Sequence, residues 1–79
     1  MEKELEFQTS DIYLGATLLA EGCKFKAIKS DIRQNRKIFV FEDSTGLRNL
    51  VTRFMANDVV VHLRSYLNAW RELRRQVDY

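Results

Sequence analysis

Ile38-Phe39-Val40-Phe41 is the segment that most restricts the fold of this chain. Its residues are β-branched or aromatic and predict a strand spanning Arg36 to Glu42. Side chains alternate across a strand, so Phe39 and Phe41 share one face while Ile38 and Val40 share the other. Both faces are apolar. Such a strand is either central and covered on both sides, or it offers its second face to another chain.

The rest of the sequence can be arranged around it. Leu5 and Phe7 alternate with Glu4, Glu6 and Gln8 and predict a short first strand or an extended arm. Thr9-Ser10-Asp11 supplies capping oxygens, and Ile12, Ala16 and Leu19, with Leu18 alongside, give a helical stripe that ends at Gly22. Cys23 to Lys29 alternates again, with Cys23, Phe25 and Ala27 on one face and Lys24 and Lys26 on the other. A polar turn over Ser30 to Asn35 joins this strand to the apolar one as a hairpin. Asp43-Ser44 caps a second helix with Leu47, Leu50, Val51 and Phe54 inward, and Asn57-Asp58 ends it. Val59-Val60-Val61 fits either a bridging strand or an extended linker. From His62 a last helix sets Leu63, Tyr66, Leu67, Trp70, Leu73 and Val77 on its apolar side. The order β-α-β-β-α-α predicts an α+β fold, three helices on a small antiparallel sheet that includes the hairpin, in one domain over 1–79. Phe39, Phe41, Leu50, Phe54, Leu67 and Trp70 are its expected core.

Composition excludes much. A hydrophobic content of 46% supports a packed core rather than disorder. Apolar runs of about four residues are too short to span a membrane. A lone cysteine, and an acidic opening from Met1 to Glu6 with no apolar leader, predict a cytoplasmic setting. Catalysis finds little support, because the single His62 and single Cys23 lie 39 positions apart and Cys23 follows an inward pattern. His62 and Asp58 amount to two metal ligands at most, so no metal is expected and His62 is assigned a capping or surface role. Gly15, Gly22 and Gly46 are too dispersed to cradle phosphates, and no cofactor is expected.

Charge is distributed unevenly. The whole chain carries +2, whereas Lys24, Lys26, Lys29, Arg33, Arg36 and Lys37 face a single acid, Asp31, within one hairpin. Such a concentration attracts a polyanion. Arg64, Arg71 and Arg75 recur on the outer face of the last helix and can add to it. The same charges also suit a solvated surface. A non-enzymatic domain contacting DNA or RNA through these nine residues is therefore expected. The alternative is a protein-interaction module, a homodimer or a binder of a host protein, using Ile38 and Val40.

Thr9-Ser10-Asp11-Ile12-Tyr13-Leu14, Leu18-Leu19-Ala20-Glu21-Gly22, Phe39-Val40-Phe41-Glu42-Asp43 and Ala69-Trp70-Arg71-Glu72-Leu73 resemble a family of small bacterial and phage-associated domains of unknown function. The matching pieces are caps, a glycine stop and strand residues. The resemblance implies a shared fold and a phage or mobile-element context, and it supplies no catalytic residue.

Overall fold

A computed structural model describes residues 5–77. Chain order is β1 (Glu6–Thr9), α1 (Ile12–Ala20), β2 (Phe25–Asp31), β3 (Arg36–Glu42), α2 (Thr45–Met55) and α3 (Leu63–Val77). The three strands form one antiparallel sheet ordered β1-β3-β2. The apolar β3 is thus central. Phe39 and Phe41 point toward the helices and are buried, with Phe25 meeting Phe41 edge-on at 5.4 Å between ring centroids.

Local chemistry sets the ends of the helices. Asp11 caps α1 by accepting from the Tyr13 and Leu14 N–H groups at 2.9 and 3.3 Å, and Ser44 caps α2 by accepting from the Leu47 N–H at 3.0 Å. Gly22, at φ 89°, closes α1 in a Schellman motif: Cys23 N–H donates to Leu18 C=O and Gly22 N–H to Leu19 C=O. Asn57, at φ 57°, closes α2 in the same way. The His62 carbonyl accepts the Tyr66 N–H at the start of α3, which puts His62 in a capping position. Val59 to Val61 is an irregular linker, not a strand.

Helix α1 is the centre of the packing. Leu14 through Leu18 are buried in succession, because α1 meets the sheet, α2 and α3 on different sides. The Thr17 hydroxyl, buried among them, donates to the Tyr13 carbonyl at 2.9 Å. Leu14, Leu18, Leu47 and Leu73 are core residues with Phe39 and Phe41. Leu50, Phe54 and Trp70 only flank that core, and Leu67 is exposed. On α3, Tyr66, Trp70, Leu73 and Val77 pack inward as expected, but Ala69 joins them in the core while Leu63 stays 71% exposed and Leu67 is exposed as well.

Alternation in β2 also fails at one point. A bulge between Phe25 and Ala27 sets Phe25 against Phe41 but Ala27 against Val40. Ala27 therefore lies on the side away from Phe25, and Ile28 takes the inner place beside Phe39. Cys23 is half-buried at the edge of the core rather than within it.

Candidate nucleic-acid interface

The hairpin extends beyond the three-stranded part of the sheet. Pairing of β1 with β3 runs only from Glu6↔Glu42 to Thr9↔Phe39, whereas β2 continues through Lys29↔Ile38, Ser30↔Lys37 and Asp31↔Arg36. Those three further pairs carry the turn roughly 10 Å past β1. The turn itself is shorter than Ser30 to Asn35, since Ser30 and Asp31 belong to β2. Gln34 N–H donates to the Asp31 carboxylate at 3.4 Å, Asn35 N–H donates to Ile32 C=O at 3.3 Å, and Asn35 takes a left-handed φ of 53°.

The structure divides the nine basic candidates into groups. Lys26 and Lys29 lie along the outer sheet face, their Nζ atoms 3.2 and 4.0 Å from the Glu6 carboxylate. Lys24 sits at the far end of β2, where its carbonyl accepts the Glu42 N–H, roughly 20 Å of strand from the turn. Arg33 is exposed in the turn, Arg36 lies 3.8 Å from Asp31, and Lys37 Nζ donates to the neutral Ser30 hydroxyl at 2.9 Å. On α3, Arg64, Arg71 and Arg75 are all exposed on the side away from Leu73. Arg75 pairs with Glu72, whose carboxyl is held below its usual range by Gln76 and then by Arg75. Arg64 stands near the opposite end of the helix, about 16 Å from Arg75.

Hairpin and last helix meet in a groove of about 610 Å³. Ile32, Arg36 and Lys37 line it from the hairpin, Arg74 and Val77 from α3, and Ile12 from α1. Arg74 lies outside the basic stripe that Arg64, Arg71 and Arg75 form on the last helix. Its guanidinium lies 5.4 Å from the centre of the Trp70 ring, and the four-residue spacing of Trp70 and Arg74 was the available signal for that contact. Exposed pairs such as Arg36–Asp31 contribute about 0–1 kcal/mol, so they yield readily to a competing phosphate.

The alternative surface is not open. Val40 is 1% exposed and Ile38 is half-buried. Glu6 and Gln8 on β1 and Ala27 and Lys29 on β2 occupy the same face as Val40, and the ion pairs of Glu6 with Lys26 and Lys29 reach across β3 between the two edge strands. The lysine stems cover the strand while the ammonium groups remain near water. Of the two options that the apolar strand allowed, a central strand covered on both sides is the one adopted.

Elsewhere, burial and then Glu21 push the Cys23 thiol up, and burial followed by Tyr13 and Asp11 does the same for the Tyr66 hydroxyl. Among the described residues, no group of three or more His, Cys, Asp or Glu is placed to hold a metal ion, and no helix is long and apolar enough to cross a membrane.

Residues 4–79 match the family model described as a domain of unknown function, DUF5659, and the chain belongs to that family. No curated protein and no solved structure matches it.

Proposed function

We propose that this chain is a binding domain rather than an enzyme, and that it contacts the phosphate backbone of nucleic acid at the end where the hairpin turn and the C-terminus of α3 converge. One observation carries this reading. Arg36 and Lys37 from the hairpin and Arg74 from α3 line a single groove, with Arg33 exposed in the adjoining turn. Cations from two distant stretches of sequence thereby become one local field. Lys24 and Arg64 lie away from that end and are peripheral to it.

Backbone contact makes affinity fall log-linearly with salt, by about 0.9 units of slope per phosphate neutralised on duplex DNA. Replacing Arg33, Arg36 and Lys37 together by Gln is expected to flatten the slope by roughly 2–3 units. The melting temperature should barely move, since exposed charges contribute little to folding. Absence of binding to single- or double-stranded DNA or RNA at low salt would refute the proposal.

A protein-binding role has its own supporting observation, on a surface other than Ile38 and Val40. Val60 and Leu63, at the entry to α3, are 86% and 71% exposed. Sedimentation of wild type and Leu63→Glu over a range of concentrations tests whether that surface joins two copies.

A further inference from the structure

Among the described residues the most exposed large hydrophobic side chain is Ile32, at 89%. It sits in the turn of the overhanging hairpin. Turns favour Gly, Asn, Asp and Ser for conformational reasons that a β-branched apolar residue does not share. Ile32 gains almost nothing from burial, so folding does not account for it. Binding does, if the tip leaves water when a partner arrives.

Its surroundings indicate the partner. Asp31 precedes it and is paired with Arg36, while Arg33 follows it in the turn, Lys37 stands behind it, and Arg74 lines the far side of the groove that Ile32 borders, so cations outnumber the one carboxylate. An apolar point among cations weakens a purely electrostatic surface, because it displaces a possible phosphate contact. It strengthens one in which the cations hold two phosphate strands and the point enters between the bases. Architectural DNA-binding proteins place Ile, Leu or Phe wedges in this way, unstacking a base step and kinking the duplex by about 20–90°. The turn is suited to the task, since the Gln34–Asp31 and Asn35–Ile32 hydrogen bonds fix its shape. The tip also stands clear of β1 by three residue pairs.

Resting on the nucleic-acid reading above, we propose that Ile32 is an intercalating wedge, and that the ligand is duplex DNA bent at the step it enters. Flexible pyrimidine–purine steps should be preferred over stiff A-tracts, although no side chain reads a base edge.

The experiment uses a duplex of about 25 bp with a central TA step and a fluorescent donor and acceptor at its ends, titrated with the whole chain at low salt. Wild type should raise energy transfer on binding. Ile32→Ser should bind about tenfold more weakly, with the bend lost and the salt slope unchanged, because no phosphate contact is removed. Ile32→Leu should restore the bend. A duplex bound without bending, or bent equally by wild type and Ile32→Ser, would overturn the wedge and leave backbone contact standing. Failure of wild type to bind any nucleic acid would overturn both.

Discussion

Gly15 provides a direct test of how closely the three layers approach. A Cβ placed there would lie 3.3 Å from Leu73 Cδ1 and 3.6 Å from Phe39 Cδ2, so α1 presents bare backbone to α3 and β3 at once. Gly15→Ala gains roughly 1 kcal/mol of helix propensity. Against this, the Leu73 methyl must retreat by a few tenths of an ångström in a site that is fully buried. The two effects nearly cancel, leaving a change within about 1 kcal/mol of zero. Gly15→Leu adds three more carbons with Phe39 on one side and Leu73 on the other, and overpacking of that kind costs about 3 kcal/mol. For a domain of this size that is roughly 12–24 °C in Tm by calorimetry. Leu73→Ala alone should also cost about 3 kcal/mol. Made together with Gly15→Leu it opens space for the new side chain, so the pair should fall short of additivity by more than about 1 kcal/mol. Additive losses, or a Gly15→Leu protein as stable as Gly15→Ala, would show that α1 does not pack this closely.

Other outcomes follow from single residues. Phe41→Ala, at a fully buried position, is expected to cost about 3–5 kcal/mol in urea unfolding, and Trp70→Ala less, since Trp70 only flanks the core. Val40→Glu should unfold the chain rather than yield a folded monomer, because it buries a charge beneath the Glu6–Lys26 pair; a native circular dichroism spectrum would contradict that. The Cys23 thiol, raised by burial and Glu21, should alkylate more slowly at pH 8 than a small free thiol, and its rate should keep rising with pH until it levels off above the raised pKa. Arg48 holds the Asp43 carboxyl below its usual range through a bidentate pair, so that contact stabilises the fold above the unfolded-state pKa and is lost as pH falls through the lowered folded one. Asp43→Asn should therefore lower stability at neutral pH and reduce its dependence on pH below about 4, as read by acid titration of the circular dichroism signal.

Element order was readable because each boundary has a local chemical cause. Asp11, Ser44, Gly22 and Asn57 act within their own turns of chain, and the β3 residues specify a strand without reference to anything distant. Facing was less readable. The bulge at Lys26 reverses Ala27 through a backbone irregularity that composition does not encode, and the inward place of Ala69 is hidden because a small side chain looks unremarkable in a helical stripe. Leu14 falls outside the helical stripe legible in the sequence, because a helix contacted from several sides has no single stripe to find. The grouping of Arg36 and Lys37 with Arg74 depends on how the end of α3 and the hairpin border one groove, which brings together residues almost forty positions apart. The second face of β3 stays ambiguous in the sequence, because the cover over Val40 comes from Glu6, Lys26 and Lys29, which along the chain look simply like solvated charges.

The β1-β3-β2 order leaves the most apolar strand dependent on a four-residue strand from the other end of the chain. Each residue of β1 pairs with one at least thirty positions away, whereas β2 and β3 are neighbours and form their hairpin locally. During folding, β1 is therefore expected to dock late, and in the native state to release first. While it is away, Phe39, Val40 and Phe41 present a bare row of peptide groups, a template for any other strand, including β1 of a second copy. Amide hydrogens facing β1 should accordingly exchange faster than those shared with β2. Loss of the Glu6 contacts would then appear first as slow self-association on storage, before any large fall in melting temperature.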